Sequence, residues 1–392
     1  MLMSIALIML LGMFFSWICR KIKFPGLFGM IITGMILGPY VLNMISPEIM
    51  SVSSQLRRIA LIVILIRAGL SLDISDLKKV GRPAILMCFL PACFEIVGMV
   101  ILAPVLLGVS RLDAAIMGAV VGAVSPAVIV PKMLKLMEEK YGTKEAIPQM
   151  ILAGASVDDV FVIVMFSTFT GLAGGTGISV KDIFNIPISI VVGMGIGFLL
   201  GYILAKYFEK IHMRDTVKVI ILLSVAFMMV TFEDNYADFI PFASLIAVMC
   251  MGISLQRNRE IVANRLSVKF NKLWVMAEIL LFVLVGATVD LNHAMTAGIS
   301  AIILIFAVLV FRMLGVFLCT LGTKLSNKEK LFCMIAYTPK ATVQAAIGGL
   351  PLAMGLSCGN IVLTVSVLAI MITAPLGAFM IDLTYKKLLK KE

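Results

Sequence analysis

Long apolar runs dominate this sequence and limit what it can fold into. Of its 392 residues, 61% are hydrophobic and 14% are charged, whereas soluble domains are about 25% charged. Apolar runs of about 17–25 residues are long enough to cross a bilayer as helices. The sequence therefore predicts an all-α polytopic membrane protein with about 13 transmembrane helices. The predicted spans are 1–18, 24–45, 58–72, 83–107, 114–135, 148–172, 184–206, 217–232, 239–256, 270–289, 298–321, 332–355 and 358–385.

Basic residues fall mostly in alternate loops between these spans, including the loops around Arg20, Lys140 and Lys324. Cytoplasmic loops carry an excess of lysine and arginine. The pattern predicts an N-terminus outside and a C-terminus in the cytoplasm, with the chain in the plasma (inner) membrane. It also accounts for the net charge of +11 without a nucleic-acid partner. The seven cysteines and two histidines form no recognisable disulfide or metal motif, so we expect no cofactor.

Two kinds of segment recur in the two halves of the sequence. The segments Gly69 to Asp73 and Gly286 to Asp290 end the third and tenth predicted spans. The dipeptides Ser125-Pro126 and Thr338-Pro339 lie inside the fifth and twelfth. An odd number of spans separates the matched segments, so the two halves would be inverted in the membrane, which is typical of secondary transporters. The predicted inverted-topology six-helix repeats cover approximately 1–172 and 217–385.

Prolines interrupt the fifth and twelfth predicted spans. Because Pro126 and Pro339 each remove a backbone donor and clash with the preceding turn, we expect both segments to be kinked or unwound. Broken backbone at membrane depth is tolerated where it lines a polar cavity, and its freed carbonyls are suited to binding a cation. The residues predicted to line the two unwound segments are Ser125, Pro126, Thr338, Pro339 and Thr342.

Several ionisable residues lie inside apolar spans. Asp158 and Asp159 are adjacent in the sixth span. A carboxylate at mid-membrane depth costs roughly 3 kcal/mol even on lenient insertion scales, so the pair is predicted to hold a cation or a proton. Lys340 is the candidate charge partner, since a buried ammonium needs a counter-charge. Glu95 and Arg312 each lie about halfway along a predicted span, and we expect them to form an ion pair that braces the helices.

Glycines four residues apart predict close helix packing in three places. They are Gly34 and Gly38, Gly118 and Gly122, and Gly193, Gly197 and Gly201.

Three motifs together resemble the monovalent cation/proton antiporter superfamily, and within it the NHA branch of sodium/proton antiporters, which includes bacterial members. The motifs are Ser125 to Pro131, Ser156 to Val160 and Pro339 to Thr342. The resemblance extends over nearly the whole chain. It implies a homodimer, in which each protomer has a dimerisation domain and a six-helix core domain with two crossed, unwound helices. The implied core helices cover approximately 58–172 and 270–385, and the dimerisation helices approximately 1–45 and 184–256.

The resemblance also implies roles for individual residues. It makes Asp159 the main carboxylate for both the ion and the proton. It pairs Asp158 with Lys340, and it pairs Glu95 with Arg312 inside the core domain.

The sequence thus predicts a secondary active antiporter, not an enzyme, that exchanges Na⁺ or Li⁺ for H⁺ by alternating access. Ion and proton would compete at Asp159, with Asp158 as a second Na⁺/Li⁺ ligand. The expected partners are these ions, the bilayer and a second copy of the chain. Two alternatives are a K⁺/H⁺ antiporter of the same superfamily and an organic-ion transporter of the same fold. An intramembrane aspartyl protease is disfavoured because the Gly-x-Gly-Asp sequence of that class is absent.

Overall fold

The computed structural model describes residues 1–22, 24–71, 81–174, 180–236, 242–289 and 291–392. Regular structure in these ranges is helical, apart from an isolated β-bridge between Tyr141 and Lys391. The helices are α1 (Leu2–Lys21), α2 (Gly26–Leu37), α3 (Pro47–Ser51), α4 (Ser53–Ser71), α5 (Arg82–Met87), α6 (Leu90–Leu107), α7 (Arg111–Val121), α8 (Pro126–Glu138), α9 (Ile147–Gly174), α10 (Val180–Lys210), α11 (Asp215–Tyr236), α12 (Ser244–Asn258), α13 (Glu260–Ala287), α14 (Leu291–Thr320), α15 (Asn327–Ala336), α16 (Thr342–Ile347), α17 (Leu350–Ala353) and α18 (Gly359–Leu388).

The all-helical class predicted from the apolar runs is confirmed. Within the described ranges, nine helical segments are long and apolar enough to cross a membrane. Each of the predicted spans contains helix. The count of thirteen crossings and the inverted repeats stay predictions. Of the recurring segments, Asp73 and Asp290 lie outside the described residues.

The fifth and twelfth predicted spans are both interrupted. The fifth is divided into α7 and α8, which leaves residues 122–125 outside helix, and the twelfth is divided into α15 and α16 at residues 337–341. Pro126 is the first residue of α8, a position where the missing N–H costs no helical hydrogen bond. A third interruption, between α5 and α6, was not predicted, and it precedes Pro91 in the first turn of α6.

Both interrupted spans begin with a serine cap. Ser110 Oγ accepts from Asp113 N at 3.1 Å at the start of α7. At the start of α15, Ser326 and Glu329 form a capping box, in which Glu329 Oε2 accepts from Ser326 N at 2.8 Å. Such caps satisfy N–H groups that have no partner inside the helix. They therefore set where each interrupted helix begins.

The chain divides into two compact units. Unit 1 comprises Met1–Ser54, Ser75–Phe169 and Ile279–Glu392, and unit 2 comprises Gln55–Ile74 and Thr170–Glu278. Unit 1 thus contains both interrupted spans and Asp158 and Asp159. The assignment of core and dimerisation helices stays a prediction.

An apolar cluster within unit 1 surrounds the interrupted helices. It includes Ile129 and Met133 of α8, Ile151 of α9 and Phe332 of α15, all buried. Burial of this kind contributes about 1.5–3 kcal/mol per large side chain in a soluble protein. In a membrane, close packing supplies much of the attraction between helices. The cluster therefore holds α8, α9 and α15 together beside the interruptions.

The predicted glycine contacts are present. In unit 2, Gly193, Gly197 and Gly201 of α10 lie against the backbone at Ala243, Ala247 and Met251. In unit 1, Gly34 of α2 lies against the carbonyl oxygen of Val283 in α13. A glycine at each of these positions lets two helix backbones approach more closely than side chains would allow.

We predict that Gly34→Ala destabilises the protein, because its Cβ would meet the Val283 carbonyl and the Ala287 amide. Gly298→Ala in α14 is the matched control, since a Cβ there has nothing within 4 Å. Alanine also improves helix propensity by about 1 kcal/mol. We expect a lower midpoint of thermal unfolding for Gly34→Ala in detergent, and an unchanged or higher midpoint for Gly298→Ala. Equal midpoints would contradict close packing at Gly34.

Candidate functional site

The two interruptions contact each other inside unit 1. Ser125 N, at the end of the first, donates to Pro339 O in the second at 2.8 Å. Ser125 and Lys340 are both fully buried. Backbone groups that leave a helix at such a place need other partners, because an unpaired buried N–H or C=O is costly.

Side chains supply partners for the freed backbone of the first interruption. Gln344 Nε2, on α16, donates to Val121 O at 3.1 Å and to Ala123 O at 2.8 Å. Asp158 Oδ2, on α9, accepts from Val124 N at 2.8 Å. The interruption is therefore held by two other helices of the same unit.

Arg312, on α14, lies at the centre of the charged residues and is fully buried. Its Nη1 lies 2.7 Å from Glu95 Oε2, and its Nη2 lies 2.9 Å from Asp158 Oδ2. Nη1 also donates to Gly122 O, in the first interruption. The ion pair of Glu95 with Arg312 expected from the sequence is present in the structure.

Arg312 also holds the second interruption. Its Nε donates to Tyr337 O at 2.6 Å, and its guanidinium lies 5.1 Å from the centre of the Tyr337 ring. The Tyr337 hydroxyl in turn donates to Met87 O at 2.9 Å, where α5 ends. One guanidinium, with five donors in a rigid plane, thus contacts both interruptions and two carboxylates.

The pairing of Asp158 with Lys340 implied by the resemblance differs from the pairing in the structure. Lys340 Nζ donates to Glu95 Oε2 at 2.5 Å, and Asp158 pairs with Arg312. The physical reason is that the planar guanidinium contacts two carboxylates at once. Its Nη2 donates to Asp158 Oδ2, so Asp158 already has a cationic partner. The Lys340 backbone is fixed as well, since its N–H donates to Thr373 Oγ1 at 2.9 Å.

The charges of Arg312 and Lys340 therefore balance those of Glu95 and Asp158. This leaves the carboxylate of Asp159 as an additional charge. Asp159 is 7% exposed, and its Oδ1 has no hydrogen-bond partner among the described residues. Neighbouring positions on a helix point about 100° apart, so Asp159 does not share the direction in which Asp158 meets Arg312. In the part of the chain that the structure describes, Asp159 has no ion-pair partner.

Other buried oxygens at the two interruptions are also unpaired within the described ranges. They are Glu95 Oε1, Asp158 Oδ1, Ser125 Oγ, Thr342 Oγ1 and Gln344 Oε1. Carboxylate, hydroxyl and amide oxygens are the ligands that hard cations prefer. No group of three or more His, Cys, Asp or Glu side chains in the described residues is arranged to hold a metal ion.

The remaining predicted lining residues have different positions. Thr338 Oγ1 donates back to Ile335 O at 2.8 Å, so its hydroxyl is engaged within its own helix end. Pro339 contributes its carbonyl to the contact with Ser125. The side chain of Ser156 lies outside the described residues.

Sequence reasoning missed two residues of this site, Tyr337 and Gln344. The available signal was an amide and a phenol inside the apolar twelfth span, flanking Lys340. Buried polar side chains of this kind usually have hydrogen-bond partners.

Comparisons with known proteins assign the chain to one protein family. Residues 5–387 match the family described as sodium/hydrogen exchanger, transmembrane. The chain is 36% identical over 383 residues to sodium/hydrogen exchanger 9B2 of Mus musculus, covering 94% of this chain and 69% of that protein. It is 34% identical over 354 residues to the Homo sapiens 9B2 protein, covering 86% and 65%. The chain thus spans about two thirds of the length of these relatives.

The structure is similar to that of the sodium proton antiporter MjNhaP1 from Methanocaldococcus jannaschii at pH 8. The TM-score is 0.85 at 21% sequence identity, and the match covers 98% of this chain and 97% of that one. At this identity the match shows a shared fold. The resemblance to the antiporter superfamily is confirmed, and the matched proteins are transporters rather than enzymes.

We predict that Arg312→Ala lowers stability by about 3–5 kcal/mol, because it leaves two buried carboxylates and two carbonyls without this partner. Arg58→Ala is the matched control. It removes a bidentate pair with Asp234 in unit 2, at 2.7 and 2.8 Å, in which the side chains are 33% and 48% exposed, and such pairs contribute about 0.2–1 kcal/mol. Thermal unfolding of the purified variants gives the comparison. Similar losses in both would refute the central role of Arg312.

Proposed function

Since the chain belongs to the sodium/hydrogen exchanger family, we propose that it exchanges Na⁺ or Li⁺ for H⁺ across the membrane by alternating access. The observation that carries this proposal is the unbalanced carboxylate of Asp159. It lies buried beside a site in which the four other charges are paired.

A single buried carboxylate is sufficient to couple the two ions. Burial penalises the bare anion unless something neutralises it. A proton or a small monovalent cation each does so, and the two compete because they use the same oxygens. A loaded site is neutral overall, whereas an empty site carries a net negative charge through a low-dielectric environment. If the site reorients across the membrane only when it is loaded, it carries a cation in one direction and a proton in the other. The two ions are thereby exchanged.

We assign different tasks to the two aspartates. Asp159 takes the ion or the proton. Asp158 is fixed through Oδ2 by Arg312 and by Val124 N, and it contributes Oδ1 to the cation. Ser125 Oγ and Thr342 Oγ1 are proposed as further ligands, one from each interruption. Glu95, Asp158, Arg312 and Lys340 form a set of paired charges, which we call the frame of the site.

The charge of the loops supports a particular orientation, with the N-terminus outside and the C-terminus in the cytoplasm of a plasma (inner) membrane. The resemblance supports a homodimer.

The orientation can be tested by labelling. A cysteine placed at Lys391 should resist a membrane-impermeant thiol reagent added to intact cells. Its rapid labelling from outside would overturn the orientation.

We predict that Asp159→Asn abolishes exchange in a folded protein. In proteoliposomes with an imposed pH gradient, Na⁺, Li⁺ and K⁺ are added in turn and the lumenal pH is followed. Wild type should dissipate the gradient with Na⁺ or Li⁺, and Asp159→Asn should stay at background. Asp113→Asn, at the start of α7, is the control and should behave as wild type. Full cation-dependent flux in Asp159→Asn would refute the role of Asp159 as the ion-binding carboxylate. A response of the wild-type protein to K⁺ alone would favour a K⁺/H⁺ antiporter.

Asp158→Asn should have a different effect from Asp159→Asn. It weakens the contacts with Arg312 and Val124 N, so we expect a lower midpoint of thermal unfolding as well as lost transport. Asp159→Asn removes no ion pair between described residues and should unfold near the wild-type temperature. If both variants unfolded at the same temperature, the two aspartates would not have separate tasks.

The apparent KM for the cation should fall as pH rises. At low pH the proton occupies the site and more cation is needed to displace it, while at high pH the competition disappears. For competition at one site the fall is up to about tenfold per pH unit, followed by a plateau. Initial rates of cation-dependent flux at several pH values measure it. A KM that does not change with pH would be inconsistent with a shared site.

A further inference from the structure

The side chain of Gln344 has a defined orientation at the junction of the two interruptions. It is 1% exposed, in the first turn of α16. Both neighbours of its amide, Val121 O and Ala123 O, are hydrogen-bond acceptors. Only the NH₂ end of the amide donates, so this end must face the two carbonyls. The Oε1 end, which has no partner among the described residues, therefore points away from them.

Of the two carbonyls that Gln344 binds, Val121 O is the last of α7, and Ala123 O lies in the interruption that follows. The last carbonyls of a helix have no partner within it and carry the negative end of the helix dipole. Gln344, on another interrupted span, supplies a donor to the last of these carbonyls and to one carbonyl of the interruption. With the backbone bond from Ser125 to Pro339, this gives two direct links between the interrupted spans, in addition to the contacts of Arg312 with both.

Gln344 also makes these contacts without adding a charge. The charged groups around the interruptions are Glu95, Asp158, Asp159, Arg312 and Lys340. The first two are paired with Arg312 and Lys340. A charged side chain at position 344 would disturb this balance and add a second group able to take up or release a proton.

We propose that Gln344 is a positioning residue for ion exchange, whose neutral amide fixes the end of α7 against α16 and thereby sets the apparent cation affinity of the site. The inference rests on the proposed function, because it concerns the same site. Ser125 follows the carbonyls that Gln344 holds, and Thr342 precedes Gln344 on α16. A shift between the two segments therefore moves proposed cation ligands on both sides.

Two substitutions separate positioning from mere folding. Gln344→Glu keeps the shape but presents carboxylate oxygens to two carbonyls, unless it is protonated and donates one hydrogen bond. Gln344→Met keeps the length and donates at no pH. Gln149→Glu, at the start of α9 in the same unit, makes the same chemical change at an amide whose Oε1 also has no partner among the described residues, and it serves as the matched control.

The experiment measures cation-dependent flux in proteoliposomes as the ratio of variant to wild type across pH, together with KM and maximal rate. For Gln344→Glu we expect the ratio to be highest at low pH and to fall by up to about tenfold per pH unit as the carboxyl ionises. For Gln344→Met we expect a raised KM at every pH and a flat ratio. Gln149→Glu should stay near the wild-type rate throughout. Cation-induced thermal stabilisation gives a second readout, which should weaken in both Gln344 variants.

A flat ratio near one for Gln344→Glu, with unchanged KM, would overturn the positioning role while leaving the exchange function intact. A loss of maximal rate with unchanged KM in both variants would also overturn it, since it would indicate a folding role. Wild-type protein that responds to no cation would instead overturn the proposed function, and this inference with it.

Discussion

A single buried guanidinium holds this site together. Two interrupted helices leave polar backbone groups without helical partners in the interior of the protein. The hydrocarbon core of a membrane has no water to satisfy such groups. Arg312 donates to one carbonyl of each interruption and to a carboxylate on each of two further helices. Removing one partner of a buried ion pair costs far more than the pair contributes net. The frame is therefore stable only when all its members are present.

This frame determines the properties of the carboxylate next to it. Asp158 is fixed by Arg312, and Lys340 is engaged with Glu95. No cation of the frame is left for Asp159 in the part of the chain that the structure describes. The charges of the frame balance one another, so the charge of Asp159 is the one that can change, and Asp159 is the proposed ion carrier. The adjacency of the two aspartates then has a reason: Asp158 pairs with Arg312, and Asp159 makes no ion pair with the frame among the described residues.

Much of this arrangement could be predicted from the sequence. Apolar runs predict the helices because their length matches a bilayer, and Pro126 and Pro339 predict the interruptions because proline cannot continue a helix. The ion pairs were harder to predict. Glu95, Asp158, Arg312 and Lys340 permit several pairings, and the choice depends on the reach of a planar guanidinium between helices distant in sequence. Gln344 was missed because the sequence does not show which of the neighbouring helices a buried amide will contact. The interruption before Pro91 was missed because the apolar run continues through it.

The most direct test is calorimetric titration of purified protein with Na⁺ and Li⁺ in buffers of different ionisation enthalpy, which counts the protons released when the cation binds. At a pH where the site is protonated, the account predicts that wild type releases about one proton per bound cation, as expected when a ligand must lose its proton to bind. Asp159→Asn should bind no cation and release none. Cation binding without proton release in wild type, or undiminished binding in Asp159→Asn, would contradict competition at this carboxylate.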